Sequence, residues 1–129
     1  MTIKEVSEIC EISLDTLRYY ERVGMIPPVK RTAGGIRNYT QEDIRWVELA
    51  KCMRSAGLRV ESLVEYVRLF QLGDETFDRR LELLRDQRRE LLEQRERIEN
   101  TLQRLEMKIS RYEQAEKTGI LDWGKGDSK

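Results

Sequence analysis

Apolar residues recur every three or four positions along most of this chain, a spacing that indicates one face of an α-helix. Residues 2–10 open with a capping-box pattern, Thr2 with Glu5, and carry an apolar stripe. A second helix is predicted from Ser13 to about Val23, because Ser13 is a favoured N-cap and a glycine and two prolines follow. Two short helices joined by a tight turn predict a helix-turn-helix.

Residues 29–39 contain a Gly-Gly pair between apolar positions, which favours a turn between two short strands. A small β-hairpin at this place would be the wing of a winged helix-turn-helix. Two further helices are predicted, from Thr40 to about Ala56 and from about Val60 to Phe70, since each pattern stops at a glycine.

The longest pattern alternates steps of four and three residues over about five heptads, as in a coiled coil. Its positions, called the seam below, are Phe77, Leu81, Leu84, Arg88, Leu91, Arg95, Ile98, Leu102, Leu105, Ile109 and Tyr112. Such a helix is roughly 50–60 Å long at ~1.5 Å per residue, so its apolar face needs a partner, and a second copy is the simplest one. The predicted dimer interface consists of Leu84, Leu91, Ile98, Leu102, Leu105 and Ile109. The two arginines indicate an interface that is partly open or that fixes the register.

These patterns predict a mainly α-helical fold with three parts. A winged helix-turn-helix DNA-binding domain occupies 1–72, a coiled-coil dimerisation helix 73–115 and a short tail 116–129. The tail is polar except for Ile120, Leu121 and Trp123, and no structure is assigned to it.

Charge changes the picture through its distribution, because the 24 basic and 24 acidic residues cancel. Between Thr16 and Tyr39, five basic residues stand against one acid, Glu21. The basic residues are Arg18, Arg22, Lys30, Arg31 and Arg37. A local basic island in a neutral chain favours contact with a polyanion such as DNA.

Composition argues against several other classes of protein. The chain has no histidine, the commonest general base and metal ligand, and shows neither a nucleophile–base pair nor a phosphate loop, so no enzyme and no cofactor are expected. Its two isolated cysteines are too few for a metal site. No membrane-length apolar run or signal-peptide pattern is present, so a cytoplasmic protein with reduced thiols and no membrane partner is expected.

Residues 13–27, with the sequence SLDTLRYYERVGMIP, closely resemble the recognition-helix signature of the mercury-resistance-regulator (MerR) family. The wing sequence RTAGGIRNY with the following TQEDI resembles the family's next block, and residues 52–64 resemble its third block. With the long helix, the resemblance covers about residues 2–115. One departure is Arg59, where many relatives have a Ser or Thr cap, which leaves the start of the fourth helix open.

The resemblance implies a homodimer held by antiparallel long helices and bound to double-stranded promoter DNA. The operator would lie in an over-long spacer between the promoter elements, and the activated dimer would distort it so that bacterial RNA polymerase engages both elements. Such readout depends on the deformability of the DNA, at a cost of order 1–6 kcal/mol.

By analogy with the family, the predicted DNA contacts are Thr16, Arg18, Tyr19, Arg22, Arg37 and Tyr39. Arginine binds guanine or phosphate, and tyrosine donates to phosphate. One of Tyr19 and Tyr20 must face the core, and Tyr20 is favoured. An ion pair of Arg22 with Glu21 or Glu42 stays open as an alternative.

Cys52 is the candidate sensing residue, expected at the edge of an apolar stripe with Lys51, Arg54 and Arg45 nearby. Cationic neighbours favour the reactive thiolate, and the arrangement resembles a lone-cysteine branch of the family that responds to aldehydes, other electrophiles or nitrosative stress. The competing interpretation is an inert packing residue, because the C-terminal end of a helix opposes a thiolate.

The residues leave the role of Cys10, the nature of the signal and the class of partner open. Cys10 is expected to be structural, although a disulfide with Cys52 is not readable from sequence. A small non-covalent ligand, bound between the long helix and the apolar residues of the tail, is an alternative to thiol chemistry. A coiled-coil protein-interaction module is the alternative from a different class, but it has no need of a basic recognition helix.

Overall fold

The computed structural model of the chain describes residues 1–122. This part contains five α-helices: α1 Ile3–Cys10, α2 Leu14–Val23, α3 Gln41–Ser55, α4 Val60–Leu72 and α5 Phe77–Thr118. A short 3-10 helix, Asp74–Thr76, precedes α5. The chain divides into two compact units, Met1–Glu90 and the part from Leu91 onward. No helix within residues 1–122 is both long and apolar enough to cross a bilayer.

Side-chain caps fix the starts of the first three helices, as the sequence predicts. Thr2 forms a capping box with Glu5, and Thr40 forms one with Asp43. The Oγ atom of Ser13 accepts a hydrogen bond from the backbone N–H of Thr16 at 3.1 Å. Each cap satisfies backbone donors that the helix itself leaves free.

Helix α4 begins at Val60, as predicted, although Arg59 makes no side-chain capping bond. The Arg59 guanidinium instead lies 3.4 Å from a carboxylate oxygen of Glu90 on α5. The departure from a Ser or Thr cap therefore replaces a local cap with an exposed ion pair to α5.

The core of the first unit is built from apolar faces of α1, α2, α3 and α4. Val6, Leu17 and Val47, one from each of the first three helices, are completely buried. This core holds α2 in place by one face and leaves its other face at the surface.

The wing differs from the predicted hairpin. Among the described residues it contains no strand, only an isolated antiparallel bridge between Arg31 and Arg37. The turn itself is present, because the backbone N–H of Thr32 donates to the carbonyl of Ile36 at 2.7 Å. Val29 is buried but Ile36 is 63% exposed, so no second apolar layer extends the bridge into strands.

Helix α5 is continuous, as the heptads predict, and runs to Thr118, slightly past the predicted end at residue 115. Its first turns belong to the first compact unit, Met1–Glu90. There Leu83, Leu84 and Gln87 of α5 line a small cavity with residues of α3 and α4. Among the described residues, Gln87 is the only buried side chain of α5.

The tail lies partly beyond the described residues. Ile120 is exposed and Leu121 is half-buried, while Trp123 lies outside residues 1–122. The predicted role of these three residues as an apolar cluster stays a prediction.

Candidate nucleic-acid interface

Helix α2 presents one face to the core and the other to solvent. Leu17 and Tyr20 are buried, which confirms the inward orientation favoured for Tyr20. Burial also raises the pKa of Tyr20, against the opposing charge of Arg54. Residues adjacent on a helix point about 100° apart, so burial of Tyr20 leaves Tyr19 on the outer face.

The outer face of α2, called the recognition face below, carries Arg18, Tyr19 and Arg22. The first two are exposed and Arg22 lies at the surface beside them. The guanidinium of Arg22 lies 5.5 Å from the centre of the Tyr19 ring. Arg18 makes a 3.2 Å ion pair with Asp15, whose side chain is almost fully exposed. Such pairs contribute little, so phosphate can replace the carboxylate as a partner of Arg18.

Thr16 lies in the first turn of α2, beside the recognition face. Its side chain accepts a hydrogen bond from the Ser13 hydroxyl at 2.7 Å. The structure thus brings four of the six predicted DNA-contacting residues together on one helix. Among residues 1–122, Arg22 forms no ion pair with Glu21 or Glu42, so that alternative is not realised.

Glu21 joins α2 to the wing, a role that the sequence interpretation missed. Its carboxylate accepts hydrogen bonds of 2.7 Å from the Arg37 Nε and of 2.7 Å from the backbone N–H of Val29. Burial alone raises the pKa of Glu21, but these two bonds and the charges of Arg37 and Arg31 outweigh it and leave the pKa below its ordinary value. The signal was available, since Glu21 is the one acid within the basic island.

Arg37 therefore differs from the free surface contact that was predicted. Its ion pair with Glu21 is largely buried, with 22% and 13% of the two side chains exposed. Because Nε is engaged, only its remaining guanidinium nitrogens are available for a DNA contact.

The prediction for Tyr39 is corrected by the structure. Its side chain is 2% exposed, and its hydroxyl is buried without a hydrogen-bond partner among the described residues. Burial raises its pKa, and the nearby charges of Arg37 and Arg18 oppose that rise. Tyr39 is a core residue that supports the junction of wing and α3, because its ring packs inward at the start of that helix.

The family described as MerR HTH family regulatory protein matches residues 1–69, more than half of the chain.

This chain belongs to the MerR family of helix-turn-helix regulatory proteins.

Similar proteins extend the match into the long helix. The HTH-type transcriptional regulator AdhR of Bacillus subtilis (strain 168) is 53% identical over 93 residues, which cover 72% of this chain and 66% of AdhR. A crystal structure of a putative MerR-family transcriptional regulator from Listeria monocytogenes has a TM-score of 0.86 at 44% identity and covers 88% of this chain and 86% of that one. The structure of HiNmlR, described as a MerR family regulator lacking the sensor domain and bound to promoter DNA, has a TM-score of 0.82 at 29% identity and covers 93% and 95%.

In this MerR-family protein the two cysteines occupy different environments, and both are free. Cys10 is buried, and burial together with the charge of Glu48 raises its pKa, which Lys51 opposes. Cys52 is exposed rather than partly buried as predicted. The expected edge position fails because Cys52 lies in the last turn of α3, where the neighbouring segment, residues 55–57, is itself exposed.

The cations expected around Cys52 have other partners. Lys51 donates to the carbonyl of Cys10 at 2.6 Å, Arg54 donates to the carbonyl of Leu58, and Arg45 pairs with Glu42 at 3.0 Å. Each of the three side chains therefore has a partner other than the Cys52 thiol. Within residues 1–122, no group of three or more metal-ligating side chains is assembled.

Proposed function

We propose that this MerR-family protein is a dimeric, sequence-specific regulator that binds promoter DNA through the recognition face of α2 and the wing. The observation that carries this proposal is the division of α2, with Leu17 and Tyr20 fixed in the core and Arg18, Tyr19 and Arg22 together on the outer face. The likeness to HiNmlR, a relative described as bound to promoter DNA, supports it.

The proposed contacts follow from side-chain chemistry. Arg18 and Arg22 bind guanine edges or phosphates, Tyr19 donates to a phosphate, and Thr16 contacts the backbone near the helix start. Arg37 contributes through the guanidinium nitrogens that Glu21 leaves free. Tyr39 takes no direct part, because its side chain is in the core.

The test measures DNA affinity by fluorescence anisotropy on an operator selected from random-sequence duplexes. Replacing Arg18 or Arg22 by alanine removes a contact and should weaken binding about tenfold to a hundredfold. Arg68→Ala is the matched control, because Arg68 is also exposed and paired within its own helix, with Glu65. Equal losses in Arg68→Ala and Arg18→Ala would contradict the proposed interface, as would binding without sequence preference.

We propose that a second copy covers the seam of α5, in an antiparallel arrangement. The apolar residues proposed for this interface are more than a third exposed in the single chain: Leu84, Leu91, Ile98, Leu102, Leu105 and Ile109. An uncovered apolar stripe of this length favours self-association. Sedimentation equilibrium tests it, with a dimer expected and a monomer at micromolar concentration as the contradicting result.

We further propose that the bound dimer acts by distorting an over-long promoter spacer, with RNA polymerase as its functional partner. Bending of a site costs of order 1–6 kcal/mol and is offset by the added contacts. Energy transfer between dyes at the two ends of the operator should rise on activation. On a promoter whose spacer is shortened to the length that polymerase prefers, the regulator should lose its activating effect.

The proposed signal is covalent modification of Cys52. Its exposed thiol is accessible to electrophiles, whereas Cys10 is buried with a raised pKa and should react slowly. The next residue, Met53, lines the small cavity against Gln87 of α5, so an adduct at Cys52 is placed to disturb that packing.

The experiment measures the alkylation rate of Cys52 against pH by mass spectrometry in a Cys10→Ala background. A midpoint clearly below the free-thiol value of roughly 8.5 supports a thiolate sensor. Cys52→Ser should then abolish the transcriptional response to aldehydes while leaving DNA affinity unchanged. A normal midpoint together with a full response in Cys52→Ser would rule out Cys52 as the sensing residue.

A further inference from the structure

An open aromatic cavity of about 260 Å³ lies in the first unit, between α3, α4 and the start of α5. Trp46, Tyr66 and Phe70 form its aromatic lining. The Trp46 and Phe70 ring centres are 4.9 Å apart in an edge-to-face arrangement, and the Trp46 and Tyr66 centres are 5.8 Å apart. Neither the DNA contacts nor Cys52 uses this cavity, so its aromatic surface has no assigned role.

One arginine of the cavity is held rigidly. Arg80 donates from Nε to the Thr76 hydroxyl at 2.9 Å and from Nη2 to the Gly73 carbonyl at 3.0 Å. Its guanidinium lies 5.6 Å from the centre of the Phe70 ring and 4.6 Å from that of Phe77. Only 12% of this side chain is exposed, so a ligand that binds it costs little further rotamer entropy.

The charges of the cavity favour an anion over a cation. Its lining contains two cations, Arg45 and Arg80, and one acid, Glu42. A second acid, Asp74, lies outside the lining, 3.8 Å from Nη2 of Arg80, but its side chain is 90% exposed, so this ion pair contributes little. Glu42 is already engaged by Arg45 at 3.0 Å. Within residues 1–122, no hydrogen bond uses the Nη1 atom of Arg80. A cationic ligand would meet two guanidinium groups, whereas a carboxylate gains charge-assisted hydrogen bonds.

We propose that this cavity binds a small aromatic carboxylate, with its ring against Trp46 and Phe70 and its carboxylate toward Arg45 and Arg80. Aromatic walls with a few fixed polar groups are typical of small-molecule sites. The binding itself depends neither on DNA recognition nor on Cys52, so it is measured separately from both.

The test uses fluorescence of Trp46 in a Trp123→Phe variant, which leaves one tryptophan in the chain. Three probes of similar size are titrated: benzoate, the neutral benzamide and the cationic benzylammonium. Benzoate should quench Trp46 saturably and bind about tenfold more tightly than benzamide, as expected for a charge-assisted hydrogen bond. Benzylammonium should bind more weakly than either.

Two variants test separately how the charge and the aromatic wall of the cavity contribute to binding. Arg45→Gln should remove most of the preference for benzoate over benzamide. Phe70→Leu should weaken the binding of both probes. Arg68→Gln is the matched control, because Arg68 is an exposed, helix-paired arginine that does not line the cavity. It should leave both affinities unchanged.

Three results would overturn the proposal. The first is the absence of saturable quenching, and the second is equal affinity for benzoate and benzamide. The third is quenching that occurs only in a monomeric variant such as Leu102→Glu, which would mean that a second copy of the chain covers the cavity in the assembled protein.

Discussion

The two compact units differ in what covers their apolar residues. In Met1–Glu90 a core of apolar side chains is buried, and Val6, Leu17 and Val47 within it have no exposed surface. In residues 91–122 no side chain is buried, and Ile98 and Leu105 are 60% and 52% exposed. Helices derive most of their stability from packing of an apolar face. The first unit therefore carries its own core, whereas the proposed second copy would supply the covering surface for the second unit.

The largest expected effect on stability comes from shortening one leucine side chain in each unit. Leu17→Ala removes a completely buried side chain and should lower the free energy of unfolding by about 2–5 kcal/mol. Leu105→Ala removes a half-exposed seam residue and should act through self-association. Urea unfolding at two protein concentrations distinguishes the two variants. Only the loss of stability caused by Leu105→Ala should change when the protein is diluted. A concentration-dependent loss in Leu17→Ala would contradict the division.

A charge in the seam should break the dimer while sparing the first unit. Leu102→Glu places a carboxylate in the proposed interface and should raise the dissociation constant of the dimer about a hundredfold or more, on the order of 2.7 kcal/mol. Gln103→Glu is the control, since it adds the same charge beside the seam. Sedimentation equilibrium gives both constants. Equal constants for the two variants would mean that the seam does not mediate dimerisation.

The same contrast explains how much of the fold could be predicted from the sequence. The starts of α1, α2 and α3 depend on local capping, so Thr2, Ser13 and Thr40 identify them without knowledge of the tertiary structure. The long helix follows from its heptads. The prediction of two strands in the wing was wrong, because a strand needs a packed neighbour that local sequence does not reveal.

In the candidate interface, the sequence correctly predicted the residues whose arrangement depends on one helix alone. Arg18, Tyr19 and Arg22 share a face because their spacing puts them there. Roles that depend on tertiary contacts were missed: Glu21 pairs with Arg37 across sixteen positions, and Tyr39 turns into the core. Both outcomes depend on how the wing folds back on α2, which no local pattern encodes.

The ion pair between Glu21 and Arg37 should make the stability of the first unit depend on pH. Glu21→Gln weakens charge-assisted bonds to Arg37 and Val29 and should cost about 2 kcal/mol near neutral pH. The pKa of Glu21 is lowered in the folded protein, so its stabilising contribution is present above its ordinary value of 4.5 and is lost as the pH falls through the lower folded value. Thermal unfolding of both proteins from neutral to acidic pH checks this.

The two curves should converge in acid, because protonated Glu21 resembles glutamine. A constant difference at every pH would contradict a charged link. DNA affinity should also fall in Glu21→Gln if the wing is held in place through Arg37, and that readout is independent of global stability.

The smallest expected effect lies near the boundary between the units and has the opposite sign. Gln87 is buried, and its side-chain oxygen has no hydrogen-bond partner among the described residues. Gln87→Met keeps the length of the side chain and removes that unsatisfied group, so it should stabilise the protein by about 1 kcal/mol. Gln94 lies one heptad later at the same position of the repeat but is not buried. Gln94→Met should therefore change the free energy of unfolding by less than about 0.5 kcal/mol. If Gln87→Met instead destabilises the protein, its amide must make a polar contact in solution, and the docking of α5 on α3 and α4 would be held by a specific bond rather than by shape alone.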